Sequence, residues 1–463
     1  MNKIKIKLPE AVLEIFSVIK EYGSTAYVVG GSVRDSIIGR PVHDWDICTP
    51  VPVPELQVTF EERGYKVIPT GIKHGTITVM VNGIGYEITT FRRDGEYSDG
   101  RHPDFVEFTS DLYEDLSRRD FTINAMAYNE EEGLIDPFNG LLDIEKRCIR
   151  CVGNAEDRFS EDALRILRAV RFASQLGFAP ELYTEMNIHG MYKNLANVSI
   201  ERINSEFCKI VSSDGFCSQM IFYYDVFLYI IPEIKDLQLS HNNPYHIYNV
   251  WSHTVHAVRA CKSNDLIVKL ATFFHDIGKS HCYQDDEYDI RHFKGHSKVS
   301  ADITDNIMKR LRFDNETREK VVQLVYYHDS TLEVGEKYVK RWLNKIGEEQ
   351  FKRLLTLRRA DISAQNPLYK EERIKKIDQI EKLLEKVLSE EACFFLKDLA
   401  VNGNDIMELF DIKSGKAVGH WLDLILDKVI NEELKNDKDE IIKWITLKKL
   451  ILFELVNLQS YRR

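Results

Sequence analysis

No apolar stretch in this 463-residue chain approaches the roughly 18 residues needed to span a membrane as a helix. The opening residues, MNKIKIKLPEAVLEIF, lack the apolar core and small-residue cleavage site of a secretion signal, so a cytoplasmic location is expected. Eight cysteines are scattered without a framework. Cys148 and Cys151 form a C-x-x-C, but no second pair stands at zinc-site spacing and no thioredoxin-like context surrounds it, which points to reduced, structural thiols. Tandem repeats and low-complexity segments are missing too. So is a positive balance: 62 Lys and Arg against 73 Asp and Glu leave a net charge of −11, which argues against indiscriminate nucleic-acid binding. A local basic surface can still attract RNA, and KYVKRW, KRLLTLRR and the KWITLKKL…SYRR end are the candidates.

What is present is ordinary for a water-soluble globular protein, with 44% hydrophobic and 29% charged residues, and the length allows two or three domains. Residues 8–22 read as an amphipathic helix opened by Pro9 and closed by Gly23. From about 25 to 91, short β-branched strands alternate with turns and helices; GTITVMV and GYEITTF form a hairpin across Asn82-Gly83. Residues 92–110 read as a mobile polar loop, and from about 145 onward nearly everything reads as helical. Histidines concentrate near 240–256, and a charged helical tail begins after about 366.

The richest stretch is Val28 to Pro50, VVGGSVRDSIIGRPVHDWDICTP. A strand ending at Val29 runs into Gly30-Gly31-Ser32, whose backbone N–H groups can approach a ligand. Arg34 follows on the first turn of a helix, where a phosphate would also meet the helix N-terminus. Asp44 and Asp46 flank Trp45 on the next expected strand, where period-2 geometry turns both carboxylates to one face. Two hard oxygen ligands beside a phosphate cradle point to Mg²⁺ chemistry on a nucleotide. Glu87, on a neighbouring strand, is the candidate third carboxylate.

In EDALRILRAVR, a helix would set Asp162 and Arg165 side by side at i and i+3. A carboxylate beside a guanidinium complements the amino donor and ring acceptor shared by cytosine and adenine, and mismatches uracil and guanine. Arg168 and Arg171 continue the same face toward a triphosphate.

With YEITTFRRDGEYSDGRHPDFVEF, LSRRDFTINAMAYN, LIDPFNGLLDI and RFSEDALRILRAVRFASQLGF, these motifs resemble, in order, the bacterial class II tRNA nucleotidyltransferase and poly(A) polymerase family of the polymerase-β-like superfamily. The resemblance covers most of residues 24–180. It implies an α/β nucleotidyltransferase head followed by an all-α neck, body and tail, with CTP and ATP as substrates, tRNA as partner and no stable protein partner. Under it, Gly30, Gly31, Ser32 and Arg34 cradle the β- and γ-phosphates. Arg119, on a helix RRDFTINAMA, binds phosphate, and Asp120 and Asn124 lie near the ribose. Asp162 and Arg165 select the base. The full-length segment from Arg92 to Phe108 favours complete CCA addition over enzymes that stop after CC.

HIYNVWSHTVHAV, LATFFHDIGK and LLTLRRADISAQ resemble the HD phosphohydrolase domain at His253, His275, Asp276 and Asp361, implying a hydrolytic Mn²⁺, Ni²⁺ or Mg²⁺ ion. His246, His256, His296 and His328 are further histidines, of which His296 and His328 fit positions for a second metal or a phosphate. Gly403, Asp405, Gly415 and Gly419 match a tRNA-binding body motif, with Phe410 where glycine is usual. The expected division is 1–145 head, 146–240 neck, 241–366 HD-like domain and 367–463 tail.

Overall fold

The protein is described by a computed structural model covering residues 4–72, 75–95, 105–389 and 395–460. It divides into two compact units, one running to Lys235 and including Ile307–Phe313, the other built from Asp236–Asn306 and the chain from Asp314 onward.

The first unit opens with α1 (Glu10–Glu21), whose Val12, Ile15, Val18 and Ile19 are buried at helical spacing. A mixed sheet follows. Its strands are β1 (Tyr27–Val29), β2 (Ile47–Thr49), β3 (Lys66–Gly71), β4 (Thr76–Val81) and β5 (Ile84–Thr90), with β8 (Ala127–Asn129) and β9 (Gly133–Ile135) added later, in the order β3-β4-β5-β2-β1-β8-β9. Asn82 and Gly83 both take positive φ (52° and 81°), the two-residue turn that suits strand twist and sets Val81 opposite Ile84. β2 and β5 run parallel, which brings the start of β2 beside Glu87 of β5. Two short helices, α2 (Gly31–Ile37) and α3 (Val53–Glu62), connect these strands.

Residues 92–110 are not simply a loop. β6 (Arg92–Asp94) and β7 (Val106–Phe108) pair antiparallel, with Arg93 directly opposite Glu107 and ion-paired to it at 2.6 Å. Residues 96–104 of this segment, and the inference drawn from its full length, lie outside the described residues.

RRDFTINAMA is not a helix. After α4 (Leu112–Ser117) the chain makes a turn at 118–120 and one 3₁₀ turn, Thr122–Asn124, before entering β8. The Asp120 carboxylate accepts from the Phe121 N–H and from Asn124 Nδ2, offering the backbone an alternative to helical bonding.

Beyond α5 (Gly140–Glu145), β10 (Cys148–Ile149) and β11 (Ala179–Pro180) form a two-residue parallel pair. The EDALRILRAVR block is split. α6 (Ala155–Glu161) ends at Asp162, which is extended (φ −146°, ψ 102°), and α7 (Leu164–Leu176) begins after it. α8 (Leu182–Met191), α9 (Ile200–Val211), α10 (Phe216–Phe222) and α11 (Tyr224–Ile230) complete this unit.

The second unit holds α12 (Val250–Ala260), α13 (Leu266–Phe274), α15 (Asn315–Tyr327), α16 (Glu336–Ser363, broken at Gly347) and α17 (Pro367–Ser389). α14 (His296–Arg310) begins in it. One non-helical element is the hairpin of β12 (Gln284–Asp285) and β13 (Arg291–His292). In the tail, α18 (Gly403–Phe410) and α19 (Lys416–Ile430) bury Ile406, Val418 and Ile425 with Ile441 and Ile445 of α20 (Lys438–Ser460). Asn402 caps α18 in a reciprocal pair with Asp405, and Asp411 after Phe410 takes the left-handed conformation a glycine would supply. No described helix is long and apolar enough to cross a membrane.

Candidate active site and candidate metal centre

A cavity of about 540 Å³ opens in the first unit, lined by residues from the β1–α2 turn, the 41–46 segment, the 118–124 turn, α7 and α9. Gly30 follows β1 with φ 73°, a conformation that favours glycine, and a Cβ there would lie 3.0 Å from Arg119 Nη1, so a larger residue would strain the turn and push Arg119 aside.

Asp44 and Asp46 both line the cavity, but they precede β2 rather than lie on it. The Asp46 carbonyl accepts from the Val29 N–H at 3.0 Å, extending the β1 ladder by one step. No hydrogen bond or ion pair to either carboxylate is found among the described residues. The surrounding protein raises the Asp46 carboxyl above its ordinary range by desolvation; Arg119 opposes this, and the Glu87 and Asp44 charges add to it. Carboxylates in mutual repulsion, with no partner among the described residues, suit a divalent cation. Glu87 is exposed on β5 beside them and does not line the cavity; the three carboxylates do not converge within 4.8 Å.

Seven arginines line this cavity (34, 118, 119, 165, 168, 171 and 202) against five aspartates (35, 44, 46, 120 and 162), a local excess of two positive charges in a chain of net −11. That balance favours a polyanionic ligand. The Arg34, Arg168 and Arg171 guanidiniums lie 5.0, 5.7 and 4.3 Å from the centre of the Phe172 ring, which holds three like charges near one another. A hydrogen-bonded chain runs from Arg34 through Asn124 to Asp120 and on to Arg168, whose Nε is 2.7 Å from Asp120 Oδ2. Asp120 is therefore engaged at both oxygens and orients the arginines and Asn124. Burial would raise its carboxyl, but Arg168, the Asn124 hydrogen bond and Arg165 outweigh that and hold it well below the usual range.

Asp162 and Arg165 both face the cavity, but they are not paired to each other. Arg202 of α9 binds Asp162 at 2.7 Å, while Arg165 binds Glu161 at 2.6 Å and donates to the carbonyls of Arg118 and Arg158. The Asp162 Oδ1 also accepts from the Leu164 N–H, starting α7. Arg202 and Phe172 were missed in the sequence because nothing local marks them: one is a lone arginine in an amphipathic helix, the other one more apolar residue on α7.

The second unit gathers His253 (α12), His275 and Asp276 (after α13), His296 (start of α14), His328 (after α15) and Asp361 (α16). All are buried. His253, His275 and Asp276 present ligand atoms within 4.8 Å of one another, and so do Asp276, His296 and His328. His253 Nε2 lies 3.1 Å from Asp361 Oδ1 and 3.3 Å from His275 Nε2.

The tautomers follow from the backbone. Nδ1 of His275, His296 and His328 lies 2.8, 2.8 and 2.6 Å from the carbonyls of Thr272, Phe293 and Val325, which only accept. Each neutral ring then carries its proton on Nδ1 and aims a bare Nε2 lone pair inward. His296 and His328 bring those lone pairs within 3.1 Å. Both Asp276 oxygens are buried without a hydrogen bond, though Lys279 Nζ is 2.7 Å from Oδ2. Converging lone pairs around a buried carboxylate fit a divalent metal. His246 and the unanticipated His241 stack at 3.9 Å beside this cluster, and burial pushes His246 down to about 2. His256 stands apart, stacked on Tyr248.

Residues 26–150 match the family model described as "Poly A polymerase head domain". The head is a polymerase-β-like nucleotidyltransferase fold. Residues 294–445 match "tRNA nucleotidyltransferase domain 2 putative". A CCA-adding enzyme of Lactobacillus johnsonii is 51% identical over 211 residues, covering 45% of this chain and 52% of that protein. One of Leuconostoc mesenteroides is 45% identical over 208 residues, 44% of this chain and 51% of that protein. The chain thus spans about half the length of the curated relatives it matches. A crystal structure of the Bacillus stearothermophilus CCA-adding enzyme in complex with CTP is 29% identical, with a TM-score of 0.70 over 96% of this chain and 98% of that one. The Thermotoga maritima CCA-adding enzyme complexed with tRNA shares the fold at 20% identity and TM-score 0.59, over 97% of this chain and 100% of that one.

Proposed function

We propose that this chain adds C, C and A to the 3′ end of tRNA from CTP and ATP, releasing pyrophosphate. The observation that carries this reading is one cavity that the Asp44 and Asp46 carboxylates, the Gly30-Gly31 turn, a row of arginines, Asp162 and Arg165 all line. The likeness of this chain to CCA-adding enzymes supports it. Asp44 and Asp46, with Glu87 beside them, would hold Mg²⁺. That ion supplies charge neutralisation at the triphosphate and acidifies the attacking 3′-hydroxyl. Arg34, Arg119, Arg168 and Arg171 bind the triphosphate with Gly31 and Ser32. Asp162 accepts from the exocyclic amine of cytosine or adenine while Arg165 donates to the ring nitrogen; uracil and guanine mismatch both groups. The test is tRNA lacking CCA incubated with each labelled nucleotide. CTP and then ATP should be incorporated and the product should stop at three residues. UTP or GTP incorporation comparable to CTP would refute base selection, and long A tails without CTP would identify a poly(A) polymerase instead.

A second activity rests on a separate observation, the inward-facing Nε2 lone pairs around Asp276. His253, His275, Asp276 and Asp361 would hold one divalent ion (Mn²⁺, Ni²⁺ or Mg²⁺), and His296 and His328 a second one shared through Asp276. Such ions activate water for attack on phosphorus. Phosphohydrolysis of phosphorylated or 2′,3′-cyclic RNA ends fits this chain, because addition in the head requires a free 3′-hydroxyl. Release of phosphate from 3′-phosphorylated RNA, dependent on added metal and lost on chelation, tests it.

A further inference from the structure

A cavity of about 360 Å³ in the second unit lies between the end of α12, the segment around Tyr248 and the α16–α17 turn. Arg259, Lys262 and Lys370 line it, and no carboxylate does. Among the described residues none of these three cations has an ion pair, although acidic residues outnumber basic ones in this chain by 73 to 62. Three unneutralised cations around one concavity repel each other, and an anion with more than one charge relieves that repulsion.

The groove adjoins the His–Asp cluster. Gln365, in its wall, donates to Asp361 Oδ1 at 3.1 Å, and His256, also in the wall, stands one helical turn after His253. His256 stacks on Tyr248 at 4.1 Å, giving the groove a flat aromatic side. Exposed rings lie alongside: Tyr245 (50% exposed) and Tyr369 (41% exposed) contact each other at 5.1 Å, and the Tyr245 carbonyl accepts from the Asn366 N–H. Cations spaced along a groove with aromatic faces beside them match the chemistry of a single-stranded nucleic acid, whose phosphates follow the charges while its bases stack.

We propose that the Arg259–Lys262–Lys370 groove binds the phosphodiester backbone of a single-stranded RNA 3′ end whose terminal phosphate is presented to the His–Asp cluster. This rests on the hydrolase reading for the fate of the terminal phosphate, but not for the binding itself.

The test uses the full chain and an R259A/K262A/K370A variant. A fluorescent hexaribonucleotide ending in a 3′-phosphate is titrated by anisotropy at several salt concentrations. Hydrolysis of bis(p-nitrophenyl) phosphate and CTP incorporation into tRNA are followed in parallel. The variant should bind the oligonucleotide at least roughly tenfold more weakly at low salt, with the slope of log affinity against log salt reduced by about 2, since each single-strand phosphate contact contributes about 0.7. Hydrolysis of the small ester and CTP incorporation should change by less than about twofold, because neither needs the groove. Equal affinities and slopes would overturn the proposal, as would loss of all three activities together, which marks a structural role. Displacement of the oligonucleotide by hexaglutamate as effective as by unlabelled RNA would also overturn it, in favour of a generic acidic-peptide surface. If the parent chain hydrolyses neither RNA nor the small ester, the hydrolase reading fails, while the anisotropy contrast still decides the groove.

Discussion

Asp162 is held by Arg202, 2.7 Å away on α9, and not by Arg165 three residues along the chain. The Arg165 guanidinium is anchored instead by Glu161, so each of these two cavity-lining groups has its own partner on another residue. Separate partners fix the acceptor and the donor independently on the cavity wall.

Arg202→Ala should therefore damage selection more than binding. Asp162 would swing toward Arg165, and kcat/KM for CTP should fall by about 10- to 100-fold while the ratio of CTP to UTP incorporation narrows. Steady-state kinetics with each nucleotide on tRNA lacking CCA measures both effects. An unchanged ratio would show that Arg202 serves stability alone.

The two acidic centres should separate by mutation. Asp44→Ala or Asp46→Ala should abolish nucleotide incorporation and spare metal-dependent phosphate release, and Asp276→Ala should do the reverse. Retained incorporation in either head variant would refute the head metal ligands. Bound metal, counted by elemental analysis, gives a second readout for Asp276→Ala.

The Asp120 carboxyl carries a pH prediction. Folding lowers it, so its stabilising contribution is complete above the range where an unfolded aspartate titrates, about pH 4, and fades as pH falls through the lower folded value. Asp120→Asn should cost roughly 1–3 kcal/mol at pH 7, because Arg168 and Asn124 lose their partner. Its stability should decline less steeply than the parent's between pH 4 and pH 3. Thermal unfolding across pH 7 to 3 compares the two, and parallel acid limbs would contradict the assignment.

Gly140 packs against the turn that carries Asn124. A Cβ there would meet the Thr122 carbonyl oxygen at 2.3 Å, a backbone atom that cannot rotate away. Gly140→Ala should cost roughly 1–3 kcal/mol and weaken nucleotide binding by displacing Asn124 and, through it, Arg34. Tm and the Kd for CTP should both change. A normal Kd with a lowered Tm would confine the effect to packing.

Much of the architecture was legible because its signals are local. Pro9 and Gly23 bracket α1, Asn82-Gly83 makes the β4–β5 turn, and Gly30 takes the positive φ of the turn beside Arg119. The misreadings arose where a side chain competes with the backbone. Asp120 bonds its own neighbours and stops a helix that FTINAMA would otherwise form, and Asp162 is extended between two helices that periodicity joins into one. The β6–β7 ribbon escaped notice because its polar residues pair across the two strands, as Arg93 does with Glu107, rather than bury an apolar face.

By itself, the sequence determined the chemical types at both centres: glycines, arginines and carboxylates in the head, imidazoles and carboxylates in the second unit. Those types are set by residue identity. Which of them touch was decided only by the tertiary structure. The Asp162–Arg202 pair, the three guanidiniums around Phe172, and the tautomers imposed by the Thr272, Phe293 and Val325 carbonyls all join groups through packing between elements. Hydrogen bonds and ion pairs act over a few ångströms of space, whatever the separation along the chain, so no local pattern could record them.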